Sequence, residues 1–279
     1  MEAALLVADG GARRLSLDEA GAYRGEGFLW VHLEGRDGQD LAFLKAQDDI
    51  PDVAAGALVA TETRPRCDPI DEGAIVNLRG PGAIDPDDSD RLVSIRLWVR
   101  RGRVTSLSRR PLGATAEVMR SAEAGRILDP GDLVAAFARQ ISRALDPEVA
   151  SLGDRLDDCE SELESGNLYR LRGAIAEIRS HAIGYRRFVA PNRDALSTLA
   201  ALEADWLEEQ DRLHIREAAD RFARMAEELE AVRERAALLH EQLTDLRSEQ
   251  IDQRSLLISI VAFIFLPLTF ITGLLGMNV

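Results

Sequence analysis

Residues Ser255 to Val279 read SLLISIVAFIFLPLTFITGLLGMNV, and they contain no Asp, Glu, Lys, Arg or His. Within them, Leu256 to Leu275 has the length a helix needs to cross about 30 Å of hydrocarbon. Both faces of such a helix are apolar, which argues against an amphipathic anchor lying on the surface. The segment therefore reads as a true span. Arg247 and Arg254 stand just before it and favour an N-terminal side facing the cytoplasm. Upstream, neither Pro nor Gly interrupts Asp205 to Leu266. Apolar residues recur in steps of 3 and 4 from Ile215 through Phe222, Leu229, Ala236 and Leu246, and polar Gln250 and Gln253 continue the series. This is a heptad pattern. The simplest reading is one helix, roughly 100 Å long from Asp205 to Leu275, that begins in water and enters lipid. A ridge of this kind also suits a helix packed on its own domain. Its direct run into lipid favours several copies packed around an axis, with Gln250 and Gln253 in a wet interior near the membrane.

The rest of the chain is an acidic body. The 279 residues carry 48 Asp and Glu against 34 Lys and Arg, a net charge of −14, and every charged residue lies before Ser255. Phosphate neutralisation needs a cationic face, so nucleic acid is excluded as a partner. Cys67 and Cys159 are far apart and lack metal-ligand spacing, so they read as reduced, structural and intracellular. The N-terminus is no signal peptide, because its apolar run Ala3 to Ala8 gives way at once to Asp9-Gly10-Gly11. Arginine supplies all but one of the basic residues, the exception being Lys45.

Strand-rich runs at 28–33, 74–78, 92–99 and 104–107 lie among helical patterns at 37–47 and 52–61. Arg101-Gly102 reads as a hairpin turn, and Asp85 to Asp90 as a polar loop. By pattern this is an α+β domain whose sheet is mostly exposed or covered on one face. Helices follow at 112–123, at 132–164 with a kink or break at Pro147, and at 168–204 with an interruption near Pro191. The expected domains are 1–125 (α+β), 126–204 (its helical part), 205–254 (stalk), 255–275 (span) and 276–279 (the start of an outer loop).

Inside the span, Ser255, Ser259, Ala262, Leu266, Thr269, Gly273 and Gly276 fall on one stripe, which would face neighbouring helices or a pore. Pro267 deprives the Phe263 carbonyl of its helical partner, which is tolerated where water or another helix meets it. His32, His181, His214 and His240 show no zinc-ligand spacing. Gly10-Gly11 and Gly80-Pro81-Gly82 lack the residues of a phosphate loop, so no nucleotide is expected. Nothing suggests a catalytic arrangement. The acidic run Asp154 to Glu164 reads as a solvated helix face, with attraction of cations as the alternative.

Gly276-Met277-Asn278, after a proline-bearing span that ends a long cytoplasmic helix, resembles the signature of the CorA family of divalent metal ion transporters. Leu266-Pro267-Leu268-Thr269-Phe270-Ile271-Thr272-Gly273 is similar to the pattern that leads into it. Trp30-Val31-His32-Leu33, Thr63-Arg64-Pro65-Arg66, 74–79 and Tyr185 to Asp194 resemble the family's zinc-transporting ZntB branch. The resemblance covers essentially the whole chain. It implies an α/β/α sandwich followed by a helical stalk, assembled as a homopentameric funnel in the cell inner membrane with its N-terminal domain in the cytoplasm. The family has a second span after the tripeptide, and the sequence stops at Val279, so it is expected to be incomplete. Met277 gives the magnesium-type tripeptide, so the tripeptide does not decide the metal.

The resemblance further implies a role for each pore residue. Gly276, Met277 and Asn278 would form the outer mouth, where neutral amides and carbonyls suit a hydrated divalent ion. Thr269 would form a second, hydroxyl ring. Leu266, Ala262 and Ile258 would narrow the pore. Asp252, one turn below the span, would form a carboxylate ring at the inner mouth and is the one candidate metal contact. No Cys, His, Asp or Glu occurs from Ser255 to Val279, so zinc would pass hydrated or be selected by other segments. The expected function is divalent cation transport, zinc first and magnesium or cobalt as the alternative, with no resident cofactor. The other class of reading is a single-span, membrane-anchored scaffold or sensor. The expected partners are the bilayer, divalent cations and other copies of the chain.

Overall fold

The apolar run Phe28–Leu33 pairs with two neighbours and is buried along its whole length, so both of its alternating faces are covered. It is the third strand of the sheet in the computed structural model, which describes residues 3–8, 11–35, 38–61, 64–83, 92–163 and 168–276. The expected loop Asp85–Asp90, together with Thr63, Met277 and Asn278, lies outside these residues.

The elements in chain order begin with β1 (Ala3–Ala8), β2 (Gly11–Leu15), α1 (Leu17–Ala22), β3 (Phe28–Leu33), α2 (Gly38–Lys45), α3 (Asp52–Val59) and β4 (Arg66–Ile70). β5 (Gly73–Pro81), β6 (Leu92–Arg100), β7 (Arg103–Leu107) and α4 (Gly113–Glu123) follow. Three long helices complete the chain: α5 (Pro130–Ser161), α6 (Leu168–Ala201) and α7 (Glu209–Gly276). The strands form one seven-stranded sheet in the order β2-β1-β3-β7-β6-β5-β4. Only β3 and β7 pair in parallel. Arg100 faces Arg103 across the β6–β7 hairpin, and Gly102 supplies the positive φ (68°) that this tight turn requires.

One face of the sheet packs Leu29, Val31, Leu33, Ile75 and Trp98 against Leu44, Ala54 and Leu58 of α2 and α3. On the other face the Trp30 ring meets Phe137 of α5 edge-on, with centroids 5.7 Å apart. β5 comes so close to α5 that a Cβ on Gly80 would stand 2.7 Å from the Ile141 side chain. The sheet is therefore covered on both faces, not exposed or one-sided as its pattern suggested. The α/β/α sandwich implied by the resemblance is what forms.

Pro147 and Pro191 lie inside α5 and α6, and neither helix is broken there. Each proline removes one helical hydrogen bond, at a cost of about 3 kcal/mol. Burial on both sides offsets it: Ile141, Leu145, Val149 and Leu152 around the first, Val189, Ala195 and Leu196 around the second.

The chain divides into two compact units, residues 1–151 with 182–230, and residues 152–181 with 231–279. The first holds the sandwich. Here Asn192 of α6, fully buried, donates to the Arg79 carbonyl at 2.8 Å and accepts the Arg79 N–H at 3.0 Å, while the Arg79 guanidinium lies 4.0 Å over the Phe188 ring. The sequence Tyr185 to Asp194, singled out by its resemblance, thus anchors a helix to the backbone of β5. α7 starts where Asp211 accepts the Glu208 N–H at 2.9 Å. The Asp211 carboxylate sits against Gly131 at the start of α5, and burial, ahead of the nearby Asp129, Asp132 and Glu208, pushes its pKa up to about 7.

In the second unit Arg235 of α7 reaches both Asp157 (2.6 Å) and Glu160 of α5, and Arg155 of α5 meets Glu177 of α6 at 2.9 Å. Part of the acidic run is therefore paired within the chain.

Candidate functional site in the membrane-entering helix

The heptad series on α7 does not need a second chain to bury it. Ile215, Phe222 and Leu229 in the first unit, and Val232, Ala236, Leu239 and Leu243 in the second, are all within 4% of full burial in a single protomer. This corrects the expectation that the series marks packing between copies. A periodic apolar face specifies that it will be covered, and here the chain's own α5 and α6 are available to cover it. The series ends at Leu246, which is 38% exposed, and Gln250 and Gln253 are exposed.

From Ser255 onward the surroundings of the helix invert. Every residue from Ser255 to Leu275 is exposed in the protomer, including Phe263 at 80% and Leu266 at 70%. The segment is long and apolar enough to cross a membrane. Three of its hydroxyls, those of Ser259, Thr269 and Thr272, are bonded within the helix. Ser259 donates to the Ser255 carbonyl at 2.8 Å, Thr269 to Phe265 at 2.7 Å, and Thr272 to Leu268 at 2.9 Å. A hydroxyl bonded back to its own helix enters hydrocarbon at little cost. α7 continues through Pro267 to Gly276.

Heptad phase relates the two faces. Asp252, Ser255, Ser259, Ala262, Leu266, Thr269, Gly273 and Gly276 repeat in steps of 3 and 4, like the buried series. They lie on nearly the opposite side of α7 from Val232 to Leu243, about 150° around the axis at 3.5 residues per turn. Ile258 lies at the margin of this stripe. All the described members of the predicted set, Asp252, Ile258, Ala262, Leu266 and Thr269, are exposed in the protomer. Gly276 closes α7, and Met277 and Asn278 lie outside the described residues.

The histidines do not gather. His32 is buried in the sandwich with Nδ1 at 2.8 Å from the Ser106 hydroxyl, and burial pushes its pKa down to about 4, so it is neutral at physiological pH. His181 stands 3.9 Å from Glu177, and His214 contacts Gln210. Among the described residues no His, Cys, Asp and Glu group of three or more is arranged to hold a metal ion. Cys67 and Cys159 are free and buried, and burial pushes the Cys67 thiol up to about 12.

Comparison with known proteins places this architecture. The divalent cation transporter CmaX of Pseudomonas aeruginosa is 33% identical over 285 residues, covering 97% of this chain and 83% of that protein. The zinc transport protein ZntB of Pectobacterium atrosepticum is 29% identical over 250 residues, covering 89% of this chain and 76% of that protein. The structure of full-length CmaX superposes with a TM-score of 0.89 at 30% identity, over all of this chain and 87% of that one. A family model described as CorA-like Mg2+ transporter protein matches residues 25–279, so a sandwich, a long helix and an exposed apolar span come together in a chain that belongs to the CorA-like family of divalent cation transporters.

Proposed function

We propose that this protein carries Zn2+ across the inner membrane through the axial pore of a homopentamer, with its N-terminal domain in the cytoplasm. The observation that carries the proposal is the stripe from Asp252 to Gly276. It combines small, hydroxyl and carboxylate residues at heptad spacing, on the face of α7 turned away from its own protomer's packing. Five such stripes around an axis form a lining. Asp252 carboxylates at the inner mouth concentrate cations. Ile258, Ala262 and Leu266 make an apolar narrowing, which gates by dewetting. Above it the Thr269 hydroxyls, whose protons are donated to Phe265 carbonyls, turn lone pairs toward the water shell of a passing ion. Gly276, Met277 and Asn278 form the outer mouth, where amide and carbonyl oxygens hold the hydrated ion through its waters.

Zinc leads because the soluble stretches at 30–33, 63–66, 74–79 and 185–194 resemble the ZntB branch, and ZntB relatives match 89% of the chain. The test is ion flux into liposomes holding the full-length protein. Zinc entry is expected. Magnesium entry without zinc would replace zinc with the magnesium or cobalt reading, and no entry of any divalent ion would leave the scaffold. Asn278→Ala is expected to abolish selective flux while the pentamer persists on size exclusion. Unchanged flux would remove the outer-mouth assignment.

A further inference from the structure

Just below the span, the first turn of α6 and the last water-facing turns of α7 enclose a cleft of about 370 Å³. Arg172 and Tyr169 line it from α6, and Thr244, Arg247, Gln250 and Arg254 from α7. Among the described residues no carboxylate lines it. Among the described residues none of the three arginines has an ion pair or a hydrogen-bond partner, and all three are exposed.

This is unusual for its surroundings. Between Glu241 and Arg254, α7 carries four carboxylates and only two arginines. They are sorted by face. At about 100° per residue, Glu241, Asp245, Glu249 and Asp252 all project roughly 120° or more away from Arg247, while Thr244, Gln250 and Arg254 project within roughly 60° of it. A solubilising surface would interleave the signs and pair them along the helix. Here the cations are gathered beside the positive end of the 34-residue helix α6.

The position selects the occupant. Arg254 is the last charged residue before the apolar segment, and Arg247 lies about 13 Å below Leu256 along the helix. Long arginine side chains at that depth reach the headgroup layer. Tyr169, 87% exposed beside them, has the amphipathic ring favoured at the membrane–water boundary. We infer that this cleft binds the phosphate of an anionic phospholipid of the cytoplasmic leaflet. Arg172, Arg247 and Arg254 hold the phosphate oxygens, and Gln250 and Thr244 meet the glycerol end of the headgroup. The lipid would brace the base of the span from the side, leaving the Asp252 stripe to its own face. The inference needs only that α7 crosses the bilayer. Its readout is bound lipid and not ion flux, so it stands or falls separately from the transport proposal.

The experiment uses the full-length protein purified in mild detergent and exposed to equal phosphatidylglycerol and phosphatidylcholine, with bound lipid counted by native mass spectrometry. Wild type is expected to retain phosphatidylglycerol preferentially. R172Q/R247Q/R254Q is expected to lose roughly 100-fold in that retention. E241Q/D245Q, on the opposite face, is expected to bind as wild type does. The single variants R247Q and R254Q, each checked for an unchanged melting temperature, should lose several-fold, which keeps the test decisive if the triple variant misfolds. Phosphatidylglycerol retention that survives the arginine substitutions would overturn the inference. So would equal retention of phosphatidylcholine, and so would displacement of the lipid by an equal concentration of inorganic phosphate, which would mark a soluble-anion site.

Discussion

One helix is solved in two ways along its length. From Ile215 to Leu243, α7 is a water-soluble helix with one buried apolar face, charges on the remaining faces and, among its large apolar residues, Leu238 exposed. From Ser255 to Leu275 it is apolar on every face and buried on none within its own chain. The backbone does not change, but the solvent does. Water makes an apolar face seek cover, so position on the helix decides composition. Lipid removes that demand and instead requires every backbone and hydroxyl group to be satisfied inside the helix, which Ser259, Thr269 and Thr272 achieve by bonding back to carbonyls. The transition is Leu246 to Arg254, where the apolar face has ended and the hydrocarbon has not begun.

The largest effect that tests this contrast comes from two phenylalanines. Phe222→Ala removes a fully buried ring from the packed part and is expected to cost about 3–5 kcal/mol in denaturant unfolding of the detergent-solubilised protein. Phe263→Ala removes a ring that faces outward from the protomer and is expected to cost less than half as much. Equal costs would mean that the span is buried as deeply as the stalk.

A second test is pH. Asp211, at the start of α7, has a folded pKa raised from the ordinary 3.8 to about 7, chiefly by burial. The folded protein therefore holds a proton that the unfolded chain releases above pH 4. This group's contribution to stability is full below pH 4 and falls as pH rises toward 7. Asp211→Asn keeps the acceptor for the Glu208 N–H and is expected to remove that fall, worth roughly 2 kcal/mol across the window. Melting temperatures of both proteins from pH 4.5 to 8 measure it, and parallel curves would refute it. His32 acts in the opposite sense: burial holds it neutral, so stability is lost as pH drops from 6.5 toward 4. The span itself carries no titratable side chain, so its insertion is expected to be insensitive to pH.

The smallest effect belongs to Arg235, which reaches Asp157 and Glu160 on the surface of the second unit. Arg235→Ala is expected to cost about 0.2–1 kcal/mol, less in high salt. A larger loss would show that the ion pairs, and not the buried face of α7, hold that unit together.

The strands at β3, β5, β6 and β7 were legible because each holds a short run rich in apolar or β-branched residues beside a turn or loop signal. β1, β2 and β4 were not. Gly11–Leu15 carries two arginines and is mostly exposed, and Ala3–Ala8 reads as a short apolar stretch until its pairing with β3 is known. Strands at or beside a sheet edge are partly defined by their neighbour, and local sequence does not name the neighbour. Pro147 reads as a kink or break and Pro191 as an interruption because the local penalty is visible in the sequence and the packing that offsets it is not. The arginine cleft had no sequence signal, since Arg172 and Arg247 lie 75 positions apart.

By itself the sequence determined the long uninterrupted helix, its passage from water into lipid and the residues that carry the family likeness. These follow from composition and period along one segment, where backbone hydrogen bonding is local. Only the tertiary structure decided what covers each face. It turned the heptad series inward onto the chain's own helices and covered the sheet on both sides. It left the Asp252 stripe outward and brought three arginines to one cleft just before the apolar segment. A periodic pattern fixes which residues share a face, because side-chain direction repeats with the helix. What that face meets depends on residues far away in the chain, and no local period encodes them.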